Sequence, residues 1–94
     1  MTTVANETAV VATDGEQAIL MLREQIDALD AALLRIVTER IRVSQCIQTA
    51  RMNSGGTRVE LGRERVVVDT YRQALGPDGS TLADAVLRIS RGAR

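Results

Sequence analysis

The chain has 94 residues, enough for one small domain, and its 12 basic and 12 acidic residues cancel to a net charge of zero. A chain this short buries a modest fraction of its surface alone, so we expect it to associate and enlarge its core. The balanced charge argues against a protein that binds nucleic acid or anionic membrane through bulk charge.

Cysteine and histidine usage excludes several kinds of catalytic site. Cys46 is the only cysteine and histidine is absent, so neither a Cys/His metal site nor a Cys/His or Ser/His catalytic pair can form. We therefore expect no metal and no cofactor. The sequence shows neither a signal peptide nor a membrane span, and a cytoplasmic location is expected.

The chain begins with small and polar residues that lack helical periodicity. Residues 1–17 are predicted to form a flexible tail before one helical domain, residues 18–94. A long helix is predicted from Glu16 or Ala18 to about Met52. The segment Asn53-Ser54-Gly55-Gly56 should end it, because tandem glycines disfavour helix and supply a left-handed residue.

Two shorter helices are predicted to follow. The first spans about Val59 to Leu75 and carries Val68, Tyr71 and Leu75 at helical spacing; the turn signal Gly76-Pro77-Asp78-Gly79 should end it. Ser80 or Asp78 is the expected cap of the third helix, whose predicted buried stripe is Leu82, Val86 and Ile89. The predicted fold is therefore all-α, with one long and two shorter helices.

An arginine interrupts the apolar seam of the long helix. Apolar residues recur at alternating steps of three and four, the pattern of an amphipathic helix. The positions of this seam are Ile19, Leu22, Ile26, Leu29, Leu33, Ile36, Arg40, Val43, Ile47 and Ala50. Because a guanidinium stays charged, Arg40 must meet an anion of the protein or of a ligand.

A second arginine of the long helix shares the face of Arg40. Arg51 follows it by eleven residues, which places the two within about 20° of each other around the helix and ~16 Å apart along it. Arg23 is ~42 Å from Arg51 by the same geometry, too far to share a small ligand. Arg40 and Arg51 thus face one groove along the helix. An antiparallel second copy of the helix would bring its Arg23 towards this groove.

The second predicted helix opens with Glu60, Arg63 and Glu64. Arg63 and Glu64 offer a cation and a carboxylate at the edge of the same groove. The whole set suits a small dianion that carries a hydroxyl group.

The order and spacing of several short motifs resemble the all-α chorismate mutases. The motifs are the run from Leu22 to Asp30, Glu39-Arg40, Ala50-Arg51-Met52 and Arg63-Glu64. The stretches 51–58 and 75–79 most resemble the short intracellular actinobacterial type. This resemblance covers about residues 19–92 and implies an intertwined antiparallel homodimer whose long first helix contributes to both active sites.

The resemblance implies a reaction and a role for each matching residue. The reaction is the Claisen rearrangement of chorismate to prephenate in the shikimate pathway, which needs no nucleophile, metal or cofactor. Arg23 would act in the partner's site and Arg40 on a substrate carboxylate. Arg51 would contact a carboxylate and the ether oxygen. Arg63 would help to fix the ring-side anion, and Glu64, assisted by Glu60, would hold the ring hydroxyl. Ile26 and Ile47 would form apolar walls.

The chain departs from the most active members of that family in its third helix. Those members carry a glutamine or glutamic acid there that donates to the ether oxygen, whereas this chain ends Ile89-Ser90-Arg91-Gly92-Ala93-Arg94. The actinobacterial type shares this lack, has low activity alone and is activated in a complex with DAHP synthase. That type usually has a longer tail with a Leu-Gly pair, which this chain does not have.

The sequence leaves two alternatives open. One is a related mutase acting on 4-amino-4-deoxychorismate or a lyase acting on isochorismate, because Glu60 and Glu64 would tolerate an ammonium as well as a hydroxyl. The other is a non-catalytic helical interaction module in which Arg40 only sets the register. A nucleic-acid-binding domain is disfavoured, since Tyr71 is the single aromatic residue and no basic face is present.

Overall fold

The computed structural model describes residues 14–56 and 60–92, which form three α-helices. They are α1 (Asp14–Asn53), α2 (Leu61–Leu75) and α3 (Pro77–Arg91). These described residues include no strand, so the predicted all-α class is confirmed. No helix among them combines the length and apolarity needed to cross a membrane.

Helix α1 is 40 residues long and begins slightly earlier than predicted. Asp14 and Glu16 lie in its first turn and Arg51 in its last, where their charges complement the helix dipole. Residues 1–13 of the predicted tail lie outside the described residues, and residues 14–17 belong to the helix. Helix α1 thus begins within the last residues of the predicted tail, where Asp14 and Glu16 form an acidic first turn.

The C-terminus of α1 has the glycine-dependent ending that the sequence predicts. Gly55 adopts a positive φ of 87°, which a residue without Cβ reaches at little cost. The N–H of Gly56 donates to the carbonyl of Arg51 at 2.8 Å, and the N–H of Gly55 donates to that of Met52 at 3.0 Å. These two bonds form a Schellman motif that satisfies the last carbonyls of the helix.

One residue, Gly76, separates α2 from α3. Its φ of 82° and ψ of −163° lie in a region that only glycine occupies readily. Pro77 then opens α3, for which Gly76 is the N-cap without a side-chain hydrogen bond. The prediction of Ser80 or Asp78 as the cap was wrong, because Pro77 is pre-set for the first helical position and starts the helix before them.

The core within one chain lies between α2 and α3. Its buried residues are Val67, Gly79, Ala83, Val86, Leu87 and Ser90. Of the predicted stripe only Val86 is buried, while Leu82 is 45% and Ile89 51% exposed. A Cβ on Gly79 would clash with the Tyr71 carbonyl oxygen, so small residues rather than large ones allow the two helices to approach.

The described residues divide into two compact units, the first ending at residue 35 and the second beginning at residue 36. The described part of the first unit is helical throughout and belongs to α1. None of the residues of α1 is buried, in either unit. The second unit holds the end of α1 together with α2 and α3.

Candidate active site

The second unit contains a cavity of about 270 Å³. Its walls come from the end of α1, the beginning of α2 and the last turns of α3. The lining residues are Arg40, Val43, Ser44, Ile47, Gln48, Arg51, Glu60, Arg63, Glu64, Val67, Leu87, Ser90 and Arg91. Six of the eight site residues predicted from the sequence are thus brought together.

The lining of the cavity is cationic. Four guanidinium groups and two carboxylates give it a formal net charge of +2 (four minus two). Arg40 and Arg51 come from one face of α1 and are both half-buried, as their spacing predicts. A cleft with one predominant sign of charge attracts a ligand of opposite sign, so this cavity is suited to a small dianion.

Arg40 has a neutral partner within the chain. Its Nη1 donates to the Ser90 hydroxyl at 3.0 Å. Among residues 14–56 and 60–92, no carboxylate lies within 4.0 Å of the Arg40 guanidinium. The hydroxyl holds the side chain without neutralising it, so the charge of Arg40 is available to an anion in the cavity.

Ser90 also fixes the end of α3 against α1. This residue is only 3% exposed, and its backbone carbonyl accepts a hydrogen bond from Gln48 Nε2 at 3.2 Å. The two bonds, one from Arg40 and one from Gln48, attach two turns of α1 to the same turn of α3. The α1 and α3 walls of the cavity are therefore joined by polar contacts.

Glu64 is held by an arginine of α3. Arg91 Nη2 donates to Glu64 Oε1 at 2.6 Å and Arg91 Nε donates to Oε2 at 3.1 Å. The Glu64 side chain is 18% exposed and that of Arg91 35%. The hydrogen bonds to Glu64 raise the pKa of Arg91 above its ordinary value, and the two bonds make a forked ion pair.

Arg51 lies beside the loop that follows α1. A Cβ on Gly56 would come within 2.7 Å of Arg51 Cγ. The absence of a side chain at residue 56 therefore leaves space for the Arg51 stem where it enters the cavity. The glycine pair thus both ends the helix and accommodates this arginine.

Two predicted site residues, Arg23 and Ile26, are not part of the cavity lining. Both are exposed residues of α1 in the first unit. Their predicted positions in a site of the partner subunit stay a prediction.

Seven lining residues were not predicted from the sequence, and Ser90 and Arg91 are the two of them that contact predicted site residues, Arg40 and Glu64. Ser90 continues the buried spacing Gly79, Ala83, Val86 of α3, so it is a polar residue at a core position, the same signal that singled out Arg40. Arg91 carried no such signal, because its partner is 27 residues away in the chain. Among the described residues, no group of three or more Cys, Asp or Glu side chains is placed to hold a metal ion.

Comparison with known families identifies a match over most of the chain. Residues 22–91 match the family described as chorismate mutase type II. The intracellular chorismate mutase of Mycobacterium tuberculosis is 52% identical over 71 residues, which are 76% of this chain and 67% of that protein. The protein of the same name from Mycolicibacterium smegmatis is 48% identical over 71 residues, 76% of this chain and 68% of that protein.

A solved structure has a similar fold. It is described as a non-covalent complex of DAHP synthase and chorismate mutase from Corynebacterium glutamicum with bound transition state analog. The matching chain superposes with a TM-score of 0.80 at 38% sequence identity, over 85% of this chain and 96% of that one.

Proposed function

The chain belongs to the chorismate mutase type II family, and on that premise we propose that it converts chorismate to prephenate in the cationic cavity. The observation that carries the proposal is the cavity lining of four arginines and two glutamates with a net charge of +2. Chorismate is a dianion with a ring hydroxyl, so its charge and its donor both have partners there.

The reaction is a rearrangement within one molecule, and the cavity has to supply two effects. It must hold the substrate in the compact conformer in which the two reacting carbons are close. It must also stabilise the negative charge that grows on the ether oxygen as its bond to carbon breaks. Fixed guanidinium groups serve both needs, because they bind carboxylates and need no reorganisation during the reaction.

We assign the carboxylate and ether contacts to the cations of the cavity. Arg40, which the Ser90 hydroxyl orients, binds one carboxylate, and Arg63 binds the ring-side anion. Arg51 binds a carboxylate and the ether oxygen, and it therefore acts most strongly in the transition state. Glu64, with Glu60 beside it, accepts the ring hydroxyl, and Ile47 contributes to the apolar wall.

We propose that the working unit is an antiparallel homodimer whose partner supplies Arg23 and Ile26. The support is the apolar seam of α1: Leu22, Leu29 and Ile36 are 56%, 64% and 65% exposed. A row of large apolar side chains at helical spacing marks an association surface. A second copy of α1 presents a matching seam, as the isologous contact of a symmetric dimer requires.

A complex with DAHP synthase and a cytoplasmic location complete the proposal. The Corynebacterium glutamicum protein is described in complex with that synthase, and the mycobacterial relatives are named intracellular. We propose that this chain has low activity alone and gains activity with the DAHP synthase of its own source.

The test is to incubate the purified protein with chorismate and follow the loss of its absorbance, alone and with that synthase. Acceleration over the uncatalysed rate is expected, and none under either condition would overturn the proposal. Supplying chorismate, 4-amino-4-deoxychorismate and isochorismate in competition distinguishes the three related activities, and we expect chorismate to be consumed first.

A matched pair of variants distinguishes an enzyme from an interaction module. Arg40→Leu should fold yet lose kcat/KM by orders of magnitude, because a carboxylate contact is removed. Arg35→Leu, at an exposed position of the same helix outside the cavity lining, should keep the activity. If Arg40→Leu is fully active, Arg40 serves association rather than catalysis.

A further inference from the structure

Arg91 lies in the last turn of α3, where no role in the reaction has been assigned to it, and it contacts a residue of the proposed site. Its guanidinium meets Glu64, in the first turn of α2, through two hydrogen bonds of 2.6 and 3.1 Å. Both residues line the cavity. Arg91 therefore joins α3 to the wall at which the ring hydroxyl is proposed to bind.

The forked contact leaves Glu64 able to accept a further hydrogen bond. Each carboxylate oxygen has two lone-pair positions, and the Nη2 and Nε groups of Arg91 use one on each oxygen. These two bonds therefore leave lone-pair positions of Glu64 for a donor in the cavity. Since both oxygens are fixed by a planar fork, the direction of these positions is fixed as well.

The ion pair also sets the charge of this wall. A guanidinium keeps its proton under all ordinary conditions, so the negative charge of Glu64 is already matched by Arg91. A neutral hydroxyl can donate to the paired carboxylate without a charge penalty. An ammonium at the same place would meet the Arg91 cation a few ångströms away, and the two like charges would repel each other.

We propose that Arg91 is a positioning and specificity residue: it fixes Glu64 as an acceptor for the ring hydroxyl and disfavours an ammonium at that position. The inference rests on the proposed function, and it selects chorismate over its 4-amino-4-deoxy analogue. The sequence alone left these two substrates open, because Glu60 and Glu64 without a partner cation suit either group.

The test compares Arg91→Met, Arg91→Lys and wild type on both substrates, with Arg88→Met as the matched control. Arg88 is an exposed arginine of the same helix outside the cavity lining. Arg91→Met should lower kcat/KM for chorismate by roughly 10- to 100-fold, the range for losing hydrogen bonds to a charged group. It should lower the preference for chorismate over the amino analogue, measured in competition, by about 10-fold or more.

Arg91→Lys separates charge from geometry. It keeps the cation but loses the planar fork, so the substrate preference should persist while kcat/KM for chorismate falls. Glu64→Gln should lower kcat/KM for chorismate much less in the Arg91→Met background than in wild type, because the two residues act as one unit. Circular dichroism of each variant establishes that the helices are intact.

Three results would overturn the inference. Unchanged kcat/KM and preference in Arg91→Met would refute it while wild-type activity left the proposed function standing. Equal loss of preference in Arg91→Lys and Arg91→Met would show that the cation does not set specificity. A wild-type protein inactive on chorismate, alone and with the synthase, would overturn the proposed function and this inference with it.

Discussion

Helix α1 and the α2–α3 pair differ in how their apolar side chains are covered within one chain. α1 has 40 residues and buries none of them, although its seam carries large apolar side chains. α2 and α3 have 15 residues each and bury a small core that includes Gly79 and Ala83. Within one chain, the apolar seam of α1 is therefore left uncovered, as the proposed homodimer requires, whereas α2 and α3 cover each other through close backbone approach.

The largest effect should come from placing charge on the seam of α1. In the double variant Leu29→Glu/Leu33→Glu, two apolar contacts are lost and two carboxylates must be desolvated for the dimer to form. Each buried leucine contributes about 1.5–3 kcal/mol, so we expect the dissociation constant of the dimer to rise by roughly 10³-fold or more. Sedimentation velocity over a concentration series measures this change.

Ala31→Glu is the control for the seam variant. Residue 31 lies about 160° from both seam positions around the helix, so the same charge there should leave the dimer intact. A wild-type protein that sediments as a monomer, or a seam variant that stays dimeric, would contradict the proposed association surface.

The next effect tests whether the two units of the chain serve different sites of the dimer. Arg51→Ala should lower kcat by about 10²–10³-fold, as expected for the loss of one donor to a developing oxyanion. Arg23→Ala should act mainly on KM, since a carboxylate contact is similar in the ground and transition states. Steady-state kinetics of the two variants provide the comparison.

Mixing the two variants then tests the antiparallel arrangement. After subunit exchange, a heterodimer of Arg23→Ala and Arg51→Ala protomers has one intact site and should recover roughly half of the wild-type activity per dimer. If native mass spectrometry detects the heterodimer and activity stays absent, Arg23 and Arg51 do not cooperate across the dimer.

Much of the fold could be predicted from the sequence because its signals are local. The 3–4 spacing of α1, the Gly55-Gly56 ending and the end of α2 at Leu75 depend on residues close together in the chain. The stripe of α3 was wrong for a physical reason: close packing on α2 selects the small residues Gly79 and Ala83, which hydrophobic periodicity does not score. Large residues such as Leu82 are left exposed within the chain.

In the candidate site too, the features set by one helix could be predicted from the sequence, and those set by the packing of two helices could not. Arg40 and Arg51 could be placed together because both lie on one helix, and a polar residue on an apolar seam is visible in the sequence. The pairing of Arg91 with Glu64 could not, because it depends on how α2 and α3 are turned against each other at Gly76. Nothing in the spacing of the two residues specifies that angle.

A smaller effect, on stability, should show whether glycine is needed for the close approach of α2 and α3 or only lowers helix propensity. In Gly79→Ala the new Cβ would clash with the Tyr71 carbonyl oxygen and lie 2.7 Å from its carbonyl carbon, so the backbone must shift. We expect a loss of about 1–3 kcal/mol of stability in chemical denaturation. Gly62→Ala in α2 is the control: a Cβ there meets nothing within 4 Å, and the change should be neutral or stabilising by up to about 1 kcal/mol. Equal effects of the two substitutions would refute the close-approach explanation.

The smallest effect should come from the ion pair that α1 makes with itself. Glu39 and Arg42 meet at 2.6 Å with side chains 60% and 63% exposed, and the hydrogen bond from Arg42, followed by its charge, lowers the pKa of Glu39 below its usual 4.5. A lowered folded-state pKa means that this contribution to stability is present at neutral pH and is lost as the pH falls through the folded-state pKa. Because water and salt screen such a pair, Glu39→Gln should leave the melting temperature at pH 7 nearly unchanged. It should also slightly reduce the fall of the melting temperature below pH 4.5.

Glu64→Gln, which breaks the half-buried pair between α2 and α3, should lower the melting temperature at pH 7 more than Glu39→Gln does. If Glu39→Gln lowers the melting temperature more than Glu64→Gln does, the ion pair between α2 and α3 is not the more stabilising of the two, and the comparison of α1 with the α2–α3 pair fails for these charges.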